Sequence, residues 1–171
     1  RIKDKQLENA VRDYIAKNPW LISPQWETFA VEKRLTSICD GASKKALSDE
    51  SFAGRVDLIL SSGKQLLLLE FMRPSLKIDR DHLNRFNEYL DIIQENIEAS
   101  TALGFDHITG YLVADELLKP AGMAQALKSM KDKDRYAMSW NDLIAQAKHQ
   151  WKEFLEHIKL RAPDDTRVKN V

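Results

Sequence analysis

The chain holds a single cysteine, Cys39, among 171 residues. No internal disulfide can form, which fits a reducing, cytoplasmic setting. No apolar run approaches the roughly 18–20 residues that span a bilayer, and the N-terminus lacks the basic-then-apolar pattern of a signal peptide. No membrane partner is expected. An excess of one charge is also missing: 26 Lys and Arg balance 26 Asp and Glu. That balance argues against indiscriminate nucleic-acid binding and leaves room for a local basic patch. Equally absent are a Gly-rich phosphate loop, zinc-ligand spacing, a Gly-x-Ser-x-Gly elbow, internal repeats and low-complexity tracts.

What is there reads as one globular unit. Hydrophobic residues make up 43% and charged residues 30% of the chain, ordinary values for a packed domain of this size. The chain opens at Arg1 rather than Met, and we read it as a domain over 1–162, excised from a longer protein, with a polar tail over 163–171. Asp4 to Lys17 has helical periodicity, with Leu7, Val11, Tyr14 and Ile15 on one face, and Asn18-Pro19 stops it. Trp20, Leu21, Ile22 and Trp26 form an apolar knot. Strands are predicted over 28–35, 55–60, 65–72, 107–114 and, at an edge, 135–140, with a turn at Ser61-Ser-Gly63. Asp40 to Ser51 reads as a loop or short helix. A long helix is predicted over 79–99, buried through Leu83, Phe86, Leu90, Ile93 and Ile97. Its adjoining face carries His82, Arg85 and Tyr89, because residues three and four apart are helical neighbours. A short helix over 122–130 and a last helix over 141–160 follow, the latter with Leu143, Ala147, Trp151, Phe154, Leu155 and Ile158 inward. The order α-β-β-β-α-β predicts an α/β fold with a mixed central sheet flanked by helices and an extra C-terminal helix.

Chemistry concentrates in Gly54 to Ser75. Asp57 sits in one predicted strand and Glu70 in the next, otherwise apolar one. A carboxylate in an apolar strand is costly to bury unless it is paired or binds a cation. Two on neighbouring strands suggest a divalent-cation site. The competing reading is that Asp57 caps a turn or pairs with Arg55, and Glu70 with Arg73. Two positions beyond Glu70 stands Met72. Basic residues gather nearby: Arg55, Arg73, Lys77, Arg80 and Arg85, with Lys33-Arg34 and Lys44-Lys45 at the rim.

These residues resemble the PD-(D/E)XK, or restriction-endonuclease-like, nuclease superfamily, whose pattern is an Asp, a spacer, then Glu or Asp, any residue, and Lys. Asp57 and Glu70 match; Met72 replaces the lysine. Glu8-Asn-Ala-Val-Arg-Asp-Tyr-Ile-Ala-Lys-Asn-Pro-Trp-Leu-Ile22 looks like the opening helix of such domains, from which an early glutamate can reach the metal. Glu70-Phe-Met-Arg-Pro-Ser75 looks like a variant of a Glu-Leu-Lys-Arg-Pro-Ser run. His82-Leu-Asn-Arg-Phe-Asn-Glu-Tyr89 looks like the following helix, with Arg85 where Gln usually stands. Arg161-Ala-Pro-Asp-Asp-Thr-Arg167 resembles the end of nuclease-like domains appended to bacterial GHKL-type ATPases.

The resemblance implies a DNA endonuclease using Mg²⁺ or Mn²⁺. Asp57, Glu70 and Glu8 would hold the metal, with the Phe71 carbonyl as a further ligand, and Arg55, Lys77, Arg80 and Arg85 would contact DNA. It further implies a role in bacterial defence and an ATPase domain in the same full-length protein, and it is compatible with a homodimer. Methionine cannot orient or stabilise charge as an ammonium does. Arg73, Lys77 or Arg85 can supply the lost cation, and His82 a base, giving catalytic candidates Asp57, Glu70, Arg73 and His82. The alternative is an inactive nuclease fold kept as a DNA- or protein-binding regulatory module. Cys39, His107, His149 and His157 receive no role.

Overall fold

Leu66 to Leu69 are at most 2% exposed, the signature of a strand covered on both faces. The computed structural model describes residues 2–34, 55–73, 75–99 and 104–161; for 2–8, 11, 28–34, 55 and 56 only the backbone is described. The elements are α1 (Ile2–Lys17), β1 (Glu27–Arg34), β2 (Arg55–Ser62), β3 (Gln65–Phe71), β4 (Lys77–Ile78), α2 (Arg80–Ala99), β5 (His107–Ala114), β6 (Glu116–Leu117), α3 (Met123–Lys131), β7 (Arg135–Ser139) and α4 (Trp140–Arg161).

Five strands form one sheet in the order β1-β2-β3-β5-β7. The first three pair antiparallel, and β5 and β7 add parallel through crossovers carrying α2 and α3. Parallel neighbours need such crossovers, and the helices cover the sheet. The short strands β4 and β6, absent from the sequence reading, pair in parallel beside it. The mixed central sheet flanked by helices, with a further C-terminal helix, is the α/β arrangement expected from the element order.

Alternation along the strands sorts the core into two halves. Ile59, Leu66, Leu68, Ile108 and Leu112 pack under α2 and α3, with Leu83, Phe86, Leu90, Ile93 and Ile97. All five of these α2 residues are those the periodicity assigned. On the other face Leu58, Leu60, Leu67, Leu69, Phe71 and Val113 pack with Ile15, Ile22, Trp26 and Leu143.

Three sequence expectations shift. The β2–β3 turn is Gly63-Lys64, not Ser61 to Gly63: Ser61 and Ser62 pair with Leu66 and Gln65, and Gly63 takes φ +57°. Within the apolar knot Ile22 and Trp26 are buried but Trp20 is 45% exposed; its ring meets Trp151 edge-on at 5.8 Å. Along the last helix only Leu143 is buried, and Phe154 is 40% exposed. A helix of 22 residues runs for about 33 Å. Its first turns reach the sheet, where Gln146 Nε2 donates to the Tyr111 hydroxyl at 2.9 Å. Beyond them its apolar stripe borders an open groove of about 960 Å³ with Tyr14, Ile22 and Trp140. The loop read at 40–51, Cys39 and the tail at 163–171 lie outside the described residues.

Gly110 on β5 allows α2 to approach closely. A Cβ there would collide with Leu90 Cδ1 and stand 3.0 Å from Phe86 Cζ. Overpacking of this kind costs about 1–3 kcal/mol. Gly110→Ala should therefore lower the urea midpoint without changing the slope of the transition, whereas an unchanged midpoint would mean that α2 does not seat where described.

Candidate active site

The site is set by the β2–β3 register. Leu58 faces Leu69 and Ile59 faces Leu68, so the next step along both strands places Asp57 opposite Glu70. Directly opposed residues share a face. That face is the α2 side, since Asp57 precedes Leu58 and Glu70 lies between Leu69 and Phe71, all three of which pack in the other half of the core. The Phe71 amide donates to Asp57 Oδ2 at 2.7 Å, fixing the aspartate across the two strands.

Above the carboxylates α2 contributes His82, Arg85, Phe86 and Tyr89, which lie on one helical stripe. Together with Asp57, Glu70, Met72, Arg73, Leu76 and Leu112 they line a cleft of about 330 Å³. Its floor is apolar through Phe86 and Leu112, which are 2% exposed; its rim is charged. Burial raises the Tyr89 phenol pKa, and the negative charge of Glu70 raises it further, with Arg85 opposing. Tyr89 is thus in electrostatic reach of both Glu70 and Arg85.

Met72 lines the cleft with the two acids, two positions beyond Glu70. Its amide continues the ladder, donating to the Val113 carbonyl at 2.8 Å. Its half-buried side chain packs on the α2-side core and also borders the cleft. The backbone at Met72 thus extends the hydrogen bonding of β3 to β5 by one residue.

His82 is more than a surface residue at a helix start. It lines the cleft, and its Nδ1 lies 2.6 Å from Asp79 Oδ1. The same Asp79 oxygen accepts the His82 backbone N–H at 2.9 Å. That backbone hydrogen bond is the largest influence on the Asp79 carboxyl; burial opposes it, and the His82 side chain adds to it, leaving the Asp79 pKa lowered.

Of the nine residues singled out in sequence, Asp57, Glu70, Arg73, His82 and Arg85 converge on the cleft. Lys77 and Arg80 do not line it. Lys77 pairs with Glu116 at 2.6 Å, and exposed Arg80 reaches toward Gly122. Glu8 lies on α1 and Arg55 opens β2, but their side chains are outside the description. Tyr89, which shares the helical face of His82 and Arg85, belongs to the wall. The Asp79 partnership was missed; its signal was an acid at a helix N-cap three residues before a histidine.

Among the described residues no group of three His, Cys, Asp or Glu side chains could hold a metal ion. Asp57 and Glu70 nonetheless offer the hard oxygen donors that Mg²⁺ and Mn²⁺ take. Mg²⁺ commonly uses one or two carboxylates and fills its remaining positions with water and substrate phosphate. The donor set fits such an ion.

No protein-family model and no curated protein matches the chain. Among solved structures it is similar to EndoMS, in an EndoMS–dsDNA2 complex, at 18% identity and TM-score 0.47. It is also similar to a repair endonuclease from Pyrococcus abyssi, at 19% identity and TM-score 0.46. Each match covers 75% of this chain but only 42% and 44% of the other, so the chain spans less than half the length of either.

Proposed function

We propose that this domain is a metal-dependent DNA phosphodiester hydrolase with Asp57 and Glu70 at its centre. The observation that carries the reading is that the two carboxylates, opposed on β2 and β3, share one cleft with Arg73, His82 and Arg85. Mg²⁺ or Mn²⁺ held by Asp57 and Glu70 supplies Lewis acidity toward the phosphate and activation of a water. The chain's own residues do the rest. Arg73 and Arg85 meet the negative phosphate, and arginine suits this because it stays protonated and its fork matches phosphate oxygens. Tyr89 shares the cleft wall with Glu70 and narrows the space beside it. Phe86 and Leu112 keep the base of the cleft dry, which strengthens the charge interactions above it.

The test is incubation of supercoiled plasmid with the purified domain and Mg²⁺ or Mn²⁺. Nicking or linearisation that stops on chelation supports the reading; an intact plasmid with either metal sinks it. Each phosphate contact contributes about 0.9 to the slope of log K against log salt. Arg85→Ala should flatten that slope by about one contact and weaken binding to all DNA sequences alike. An unchanged slope would place Arg85 away from the phosphate path.

A second reading is favoured by one observation: Met72 packs on the core where the reactive ammonium would stand. On that reading the fold is kept as an inactive DNA- or protein-binding module of a larger protein, such as one carrying an ATPase domain. It differs in outcome: DNA binding would be independent of metal, and Glu70→Ala would leave it unchanged.

A further inference from the structure

We propose that Asp79 and His82 form a base dyad that replaces the missing lysine, with His82 Nε2 accepting the proton from the attacking water and Asp79 as its positioning residue. This rests on the hydrolase reading above and names the group that completes it.

The tautomer follows from the contacts. An ionised carboxylate only accepts hydrogen bonds. The 2.6 Å approach of His82 Nδ1 to Asp79 Oδ1 therefore requires the proton on Nδ1. In the neutral ring Nε2 then carries the lone pair. Among the described residues nothing hydrogen-bonds to Nε2, while the side chain borders the cleft that holds Asp57 and Glu70. A basic nitrogen is thus left without a hydrogen-bond partner on a side chain that lines the same cleft as the two carboxylates.

Helix capping alone does not account for this pair. The N-cap of α2 and its third helical residue are Asp79 and His82; the same positions of α4 are Ser139 and Asp142. In α4 Ser139 Oγ accepts the Asp142 amide at 3.1 Å, and Asp142 Oδ2 accepts the Ser139 amide at 3.1 Å. That is a full reciprocal box. In α2 Asp79 takes the N-cap role, but the reciprocal contact from the Asp79 amide to His82 Nδ1 is 3.4 Å and aims at a nitrogen that already bears a proton. The imidazole is held by the carboxylate instead.

The proton balance is simple. Water oxygen bonds to phosphorus as the bond from phosphorus to the leaving sugar oxygen breaks. One water proton passes to His82 Nε2, and the leaving oxygen takes a proton from solvent. The ring returns its proton to solvent, and Nδ1–H stays with Asp79 throughout. The charged groups around the ring are Asp79, which contacts it, and those lining the same cleft: Arg85 from α2, Glu70 and Arg73 from β3 and its extension, and Asp57 from β2.

Two measurements test the dyad. Nitrogen-15 NMR of the histidine-labelled domain should show His82 protonated at Nδ1 and bare at Nε2 when neutral; the opposite tautomer overturns the proposal whatever the activity. In plasmid cleavage His82→Ala should lose about 100-fold, within the range for general bases, and added imidazole should restore part of it, since the cavity left by the ring admits the free base. Asp79→Asn keeps the cap; it should leave the melting temperature in place while cutting the rate at least about 10-fold. A wild-type domain that cleaves and a His82→Ala variant that cleaves equally well overturn the dyad alone. A wild-type domain that leaves DNA intact overturns the hydrolase reading and the dyad with it.

Discussion

If the domain is the proposed hydrolase, Glu70→Gln and Asp57→Asn should each reduce metal-dependent cleavage by about 1000-fold or more, with the fold retained. The two side chains are opposed across the register that pairs Leu58 with Leu69, so either loss halves the carboxylate set. A divalent ion stabilises the transition state by several kcal/mol, and each 1.36 kcal/mol is a factor of ten in rate. The amides keep the shape of the side chains but remove the charge. In Asp57→Asn the side-chain carbonyl can still accept the Phe71 amide N–H, which Asp57 Oδ2 accepts at 2.7 Å. Cleavage by single turnover and circular dichroism on the same samples separate lost chemistry from lost structure. Residual activity within ten-fold of wild type would mean that the acids are structural.

Asp91→Ala should cost about 3 kcal/mol in urea unfolding, and Arg135→Met clearly less. Arg135 projects from β7 under α2 and is 4% exposed. Its Nη2 donates to Asp91 Oδ1 at 2.6 Å and its Nη1 to the Asn87 carbonyl at 3.0 Å. The Asp91 side chain is 46% exposed. Removing the acid strands a buried guanidinium, and breaking a buried pair in that way costs about 3–5 kcal/mol. Removing the arginine leaves a carboxylate that water can reach, and methionine refills the space. Equal costs, or the reverse order, would contradict this asymmetry.

The same pair sets a pH response. Burial alone would raise the Asp91 pKa, but the hydrogen bond and charge of Arg135, with Lys133, outweigh it and lower the value. A lowered folded pKa means that the unfolded chain binds the proton more tightly. The contribution is present above the usual carboxylate range and is lost as pH falls through the lower folded value. Acid unfolding of Asp91→Ala should accordingly be shallower than that of wild type.

Much of the architecture was legible because apolar periodicity and burial coincide. The stripe from Leu83 to Ile97 is the buried face of α2, and the leucine run of β3 is the middle of the sheet. The last helix misled because a stripe shows which residues share a face, not whether another element covers it; Trp151 and Leu155 sit on such a face at the open groove. The acid pair stood out as charge within apolar strands. Arg73, His82 and Arg85 joined it through chain proximity and helical spacing. Lys77 and Arg80 were near in sequence as well, yet β4 and the turn into α2 point them to Glu116 and Gly122. Periodicity does not register a two-residue strand, so their direction was not readable. The Asp79–His82 contact depends on side-chain rotamers at a helix start, which local sequence only permits.

The most direct test of the central claim is a crystal of the domain soaked in Mn²⁺ and measured for anomalous scattering. The expected result is a peak between the Asp57 and Glu70 carboxylates, at oxygen-ligand distances, that disappears in Glu70→Gln. A crystal with no peak there, or with manganese bound only elsewhere, would contradict it.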